Sequence, residues 1–179
     1  MNLALKSTVL CARTLEIITL VDYETLDDLE QLQIQQDKSA CRALLRQPWS
    51  VAIETCTRWI KIFWCDRFIG AMGIEQHSTW SNTSNLHFFL IGKNREIARA
   101  VVIGVILHEQ FKGNTCRTYV PAHHSYRYMH NFLENCGCYV SSEKDNRVVY
   151  RMNDLQPHKH IRSFFTVPFP IPSTTTQEE

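Results

Sequence analysis

Leu86–Ile91 (LHFFLI) is an unbroken apolar run, Gly92-Lys93-Asn94 interrupts it, and Arg95–Phe111 follows with Ile97, Val101, Val105 and His108 recurring on one side. A short apolar run bounded by breakers reads as a buried strand, and recurrence every three to four residues reads as a helix. Lys112-Gly113-Asn114 ends that helix, and Thr115–Val120 begins another strand that Pro121 stops. A buried strand, a long helix and a second strand in succession require a sheet with a helix laid on its face.

The flanking residues supply the rest of such a sheet. Leu15–Asp22 (LEIITLVD) is β-branched and strand-like. Leu26, Leu29 and Leu32 recur at helical spacing over Leu26–Ile34, behind a cap at Thr25 or Asp22. Lys38–Arg46 is a second helical stretch that stops before Pro48, and Trp49–Cys56 fits either state. Trp59–Cys65 and Phe68–Glu75 form a hairpin about Asp66-Arg67, in which Gly70 and Gly73 mark a bulge or a close backbone approach. Gln76–Asn85 is a polar loop. His124–Asn135 is an aromatic-rich helix punctuated by Gly137. Cys138–Ser142 and Arg147–Met152 close the unit as a hairpin around Glu143-Lys144-Asp145-Asn146. The expected architecture is α/β (α+β), with a single domain over residues 15–152 and a mixed central sheet flanked by helices. An extended C-terminal arm over residues 153–179 carries Pro157, Pro168, Pro170 and Pro172 and a disordered tip.

Composition narrows the function classes. A chain of 179 residues with 44% hydrophobic and 21% charged residues builds one well-buried domain. A formal net charge of +1 provides no bulk field for nucleic acid or anionic lipid, which argues against both as partners. The apolar run Ala98–Leu107 is far short of the roughly 20 residues of a membrane span. Seven cysteines at irregular spacings suit free thiols in a reducing compartment, and no leader opens the chain, so the expected location is cytoplasmic. Cys136-Gly137-Cys138 has too short a gap for the usual zinc pair and reads as buried thiols at a helix end, so no metal site is expected. Phe164–Pro172 is apolar and proline-spaced, and suits docking along its own domain or a protein partner.

The hairpin Ile60–Gly70, the junction Leu90–Ala100 and the segment Val120–Cys138 together resemble the GNAT superfamily, whose members move an acyl group from acyl-CoA to an amine. The resemblance covers half to two-thirds of the chain and consists mostly of pattern. A weaker likeness, carried by Asn135-Cys136-Gly137-Cys138, is to GNAT-like proteins of tailed bacteriophages, some of them virion components. The family pattern at the strand–helix junction is Arg or Gln, two residues, Gly, one residue, then Gly or Ala. Here Lys93 stands at the basic position and Ala98 at the last small one, while Glu96 stands where the first glycine belongs. The resemblance therefore implies that acetyl-CoA, as co-substrate, would be held by Leu90, Ile91, Lys93, Arg95, Ile97, Ala98 and Arg99, with backbone N–H groups and the helix dipole facing the pyrophosphate. It implies Glu75 as general base, with His77 and His87 as alternatives. The family's tyrosine proton donor falls four residues before the glycine, where this chain has Leu133. Tyr126 stands two turns earlier, and His124-Ser125-Tyr126 replaces the asparagine usual near the start of that helix. The expected activity is N-acyl transfer to an amine acceptor. The alternative is a non-catalytic GNAT-like bacteriophage protein, virion-associated or host-interacting.

Overall fold

The computed structural model describes residues 3–11, 17–37, 49–76, 79, 82–92, 95–152 and 161–170. The stretch Lys38–Arg46, His77, Lys93, and the tip beyond Pro170 lie outside the described residues. The elements run β1 (Leu3–Cys11), β2 (Ile17–Tyr23), α1 (Asp28–Gln36), α2 (Trp49–Thr55), β3 (Arg58–Trp64), β4 (Arg67–Gln76) and β5 (Thr83–Leu90). They continue with α3 (Arg95–Phe111), β6 (Thr115–Pro121), a 3-10 turn (His124–Tyr126), α4 (Arg127–Asn135), β7 (Tyr139–Lys144), β8 (Arg147–Met152) and β9 (Ile161–Pro170). They build one mixed sheet in the order β7-β8-β6-β5-β4-β3-β2-β1-β9, in which β5 and β6 are the parallel pair. The seven strands β2 to β8 form the central unit.

The hairpins form where the chain tolerates left-handed backbone. Cys65 and Asp66 have φ of 45° and 62° and join β3 to β4, one residue earlier than the sequence pattern placed the turn. Asp145 and Asn146, with φ of 51° and 58°, join β7 to β8. Two positive-φ central residues give the turn whose twist matches paired strands.

Strand alternation divides the interior into two cores. Ile60 and Ile62 of β3, Met72 and Ile74 of β4, and Leu86 and Phe88 of β5 join Val101, Val105, Phe132 and Leu133 beneath α3 and α4. On the opposite face Trp59, Ala71 and Phe89 pack with Leu26, Ile34 and Ala52 beneath α1 and α2. Trp49, left open by its sequence, starts α2 and stacks edge-on against Phe89 with centroids 4.9 Å apart. Helix α1 begins at a capping box of Asp27 and Glu30, two residues beyond Thr25. Its buried residue is Ile34, whereas Leu29 and Leu32 are 65% and 48% exposed, so the leucine spacing did not mark the packed face. Lys61 fastens α1 instead, with Nζ 2.6 Å from the Glu30 carboxylate and 4.0 Å from the Tyr23 ring centroid.

Helix α3 matches its sequence bounds and is buried along most of its length, from Ala100 to Ile106. Its last turn carries an ion network. Arg58 donates to Asp22 at 2.6 Å and to both Glu109 oxygens at 2.7 Å, Lys112 reaches Asp22 at 2.7 Å, and Asn114 donates to Glu109 at 2.9 Å. Asp22, His108 and Glu109 converge within 4.8 Å, the spacing of a metal site, but the protein's own cations already sit on both carboxylates.

Helix α4 ends in a Schellman motif: Gly137, with φ of 87°, donates to Glu134 and Cys138 donates to Leu133. His130 ties the helix to the sheet, because Nε2 donates to the Pro121 carbonyl at 3.0 Å and Nδ1 accepts from Tyr150 Oη at 2.8 Å. Burial pushes the Cys136 thiol up to about 12 against the pull of Arg99, and pushes Cys138 up as well. Both are protonated core thiols rather than ready metal ligands.

At one edge of the sheet, one strand departs from the sequence pattern and another follows one of its alternatives, an extended arm docked along its own domain. Strand β1 was not anticipated, and it pairs with β2 on one side and β9 on the other. The proline-bearing arm contributes β9 as the outermost strand, where a missing N–H need not break a ladder.

The expected bulge is present. The β3–β4 register shifts after Ile62, leaving Ile69 between Gly70 and Phe68. Gly70 has φ of 137°, and a Cβ there would lie 2.1 Å from the Phe89 carbonyl oxygen. Gly70→Ala is therefore expected to cost about 1–3 kcal/mol, read as a lowered urea midpoint. An unchanged midpoint would show that the β4–β5 spacing is not fixed by this glycine.

Candidate active site at the wedge between two parallel strands

The parallel ladder between β5 and β6 is short. It joins Thr83 to Thr115, Ser84 to Cys116 and Asn85 to Arg117, and goes no further. Beyond Asn85, β5 continues along β4 as far as the pair Gly70–Leu90, while β6 continues along β8 to the pair Pro121–Arg147. The two strands therefore part from a closed end at Asn85 and Arg117 toward an open end at Leu90 and Pro121. Beyond that point no ladder joins the two facing edges among the described residues, and a bound extended amide could hydrogen-bond along them.

Helix α3 starts just past the open end, so the positive end of its dipole faces that mouth. Leu90 is half-buried, and Ile91 is half-buried against the α1/α2 core. Gly92, with φ of 86°, is exposed, and its N–H donates to Asp37 Oδ2 at 2.8 Å. A carboxylate of the chain itself thus holds an amide at this junction. Arg95 opens α3. Ile97 is buried in the core, and Ala98 packs half-buried beside it. Arg99 is half-buried, close enough to Cys136 for its charge to act on that thiol.

At the closed end the structure brings two sequence candidates together. Glu75, near the end of β4, and His87 of β5 project from the α1/α2 face, and His87 Nε2 donates to Glu75 Oε2 at 3.0 Å. Asn85 Nδ2 approaches the same oxygen at 3.4 Å. His87 is 1% exposed and the Glu75 side chain 28% exposed, so the carboxylate is the member a solute can reach. A carboxylate oxygen only accepts, so the contact places a proton on Nε2. The buried His87 Nδ1, like Asn85 Oδ1, finds no hydrogen-bond partner among the described residues.

Tyr126 lies elsewhere. It ends the 3-10 turn after β6 and packs half-buried against the α3/α4 core, on the other face of the sheet from Glu75. The turn is capped by His123, whose Nδ1 accepts from the Ser125 N–H at 3.3 Å. Leu133 is buried in the same core.

A cavity of about 410 Å³ opens where the parallel ladder stops, lined by Asn85, Arg117, Tyr119, Lys144, Asp145 and Arg147 with Val149. The sequence pattern gave none of these residues a place in the site, and marked Lys144 and Asp145 only as part of a hairpin turn. Alternation held the signal: Arg117 and Tyr119 interleave with buried Cys116, Thr118 and Val120, and Arg147 and Arg151 with buried Val148 and Tyr150. Burial and the Arg151 charge push the Arg117 guanidinium below its ordinary value, and the Glu75 charge acts in the opposite sense.

The overall fold has counterparts among solved structures. No protein-family model matches the sequence, and no curated protein matches it. Solved structures do. The GNAT domain of S. lividans PAT aligns with a TM-score of 0.62 at 13% identity over 82% of this chain and 96% of that one. An acetyltransferase from Agrobacterium tumefaciens aligns at 0.54 with 15% identity, over 80% and 94%. An N-acetyltransferase from Staphylococcus aureus aligns at 0.52 with 10% identity, over 74% and 96%. The chain has the GNAT fold. Among the described residues no helix is long and apolar enough to cross a membrane.

Proposed function

We propose that the protein transfers an acyl group from an acyl-CoA to an amine. The observation that carries this reading is the β5–β6 wedge with the Glu75–His87 pair at its closed end and the α3 N-terminus at its mouth. From Asn85 to Leu90 the strand rises roughly 17 Å, a span that suits an extended pantetheine arm between pyrophosphate and thioester. In this reading the Leu90 backbone amide and those at the start of α3, with Lys93, Arg95, Ala98 and Arg99, hold the co-substrate, while the Ile91 N–H is already given to the Ile69 carbonyl at 2.8 Å. Glu75 takes the proton from the acceptor ammonium, with His87 fixing its carboxylate. The free amine then attacks the thioester carbonyl, an amide forms, and the thiolate leaves to be protonated from solvent, because Tyr126 packs in the α3/α4 core on the other face of the sheet from Glu75. Acetyl-CoA is the co-substrate of choice for a test.

Asp37 and Glu96 support a second reading. A carboxylate on the Gly92 amide and another in the first turn of α3 oppose a pyrophosphate, which suits a non-catalytic binding protein of GNAT fold, virion-associated or host-interacting. Calorimetric titration of the full chain with acetyl-CoA separates the two. Saturable binding below about 1 mM is expected for the transferase, and no heat in that range removes it in favour of the second reading.

A further inference from the structure

Resting on the acyl-transfer reading, we infer that the acceptor is an amine that also carries an anionic group, a carboxylate or a phosphate, held by Arg117, Lys144 and Arg147 while its nitrogen faces Glu75. The cavity has the size of a metabolite site. Glu75 does not line it, but the proposed base lies one side chain behind its wall, because Asn85 lines the cavity and reaches Glu75 at 3.4 Å. Its walls carry Arg117, Lys144 and Arg147 against the single carboxylate of Asp145.

The cations are arranged at a cost. Arg117 of β6 stands directly opposite Arg151 of β8, and like charges in that relation weaken a sheet. Arg117 is also half-buried, and the nearby Arg151 charge disfavours its own. The Glu75 carboxylate is engaged by His87 and Asn85, so it offsets this only in part. Arg147 lies over the Tyr119 ring, 5.0 Å from its centroid, which holds its guanidinium beside the cavity floor. Cations crowded along the wall, with the Glu75 carboxylate just behind Asn85, match a zwitterion of opposite polarity. The ligand's anion offsets the repulsion on the wall, and its ammonium meets Glu75. Bidentate pairing favours a planar carboxylate or a phosphate in that position.

The test uses the full chain at low salt without acyl-CoA, so that binding is read apart from transfer. Calorimetry compares 4-aminobutyrate, phosphoethanolamine and butylamine. An amine with an anion should bind at least about tenfold more tightly than butylamine, and the better of the two identifies carboxylate or phosphate. Arg117→Gln and Arg147→Gln should each abolish the preference, with melting curves as the check on folding. Lys144→Gln, in an exposed turn, is the variant to use if either fails to fold. Equal affinity for the three amines, no binding of either anionic amine, or a preference that survives the substitutions would overturn the inference. Adding acetyl-CoA and following thiol release with the better amine then separates the two readings. Intact binding without transfer would remove the acyl-transfer reading and leave the anion site in place.

Discussion

Glu75→Gln is expected to lower kcat/KM for acetyl transfer by about 10²–10⁴-fold, with the affinity for acetyl-CoA unchanged. The substitution keeps size and shape, and a glutamine oxygen still accepts from His87 Nε2, so the contact seen at 3.0 Å and the fold should survive. What is lost is the basic lone pair facing the acceptor. An amine enters as an ammonium ion and cannot attack until a proton leaves, so the loss falls on turnover. Steady-state thiol release with the amine selected by the binding comparison is the measurement, and calorimetry with acetyl-CoA is the companion. A variant that turns over within a few-fold of the parent would move the base elsewhere. His87→Gln would then become the next test, since that ring is buried behind the carboxylate with an unpartnered Nδ1 among the described residues.

Glu109→Gln is expected to destabilise the protein by about 3–5 kcal/mol, the largest effect on stability among the changes considered. Glu109 is fully buried and receives both bonds from Arg58 Nη2 and one from Asn114. Removing its charge leaves a guanidinium, three-quarters or more out of solvent, with Asp22 as its remaining carboxylate. The penalty is the desolvation of a cation that has lost half its counter-charge. Urea unfolding reads it directly, and a shift under 1 kcal/mol would mean that water or Asp22 compensates. The same network predicts acid sensitivity. Burial alone would raise the Asp22 carboxyl, but the hydrogen bond and charge of His108, with Arg58 and Lys112, hold it well below its ordinary value of 3.8. A carboxyl depressed in the folded state stabilises fully above its unfolded value, and that stability is lost as pH falls through 3.8 toward the folded value. The parent should therefore lose stability below about pH 4, and Asp22→Asn should flatten that part of the profile. An equally steep profile in the variant would assign the acid response to other carboxylates.

The residues that were legible in advance share a local cause. Arg95–Phe111 announces its helix by period and by Lys112-Gly113-Asn114 at its end, and the structure reproduces both bounds. Gly137 is a helix stop because only its left-handed backbone lets two consecutive N–H groups reach back into α4. Gly70 sits at a bulge for a related reason, the near contact with the Phe89 carbonyl. The failures have non-local causes. Leu29 and Leu32 have helical spacing yet face outward, because Lys61 and the α2 residues decide which side of α1 meets the sheet. Strand β1 has no clean alternation and exists through its pairing with β2 and β9.

The strand–helix–strand succession from Leu86 to Val120 required, from its pattern alone, a sheet with a helix on its face. Local preferences of hydrophobic period, caps and breakers are written in neighbouring residues, so they could be read there. They could not say that the ladder between the two strands stops after Asn85 and Arg117, because register depends on both strands and on what each pairs with on its other side. Nor could they bring Glu75 to His87 across a hairpin, or gather Arg117, Lys144 and Arg147 around one cavity. Those contacts join residues twelve to thirty positions apart, and only the folded sheet, with its fixed strand spacing and two faces, brings them within reach.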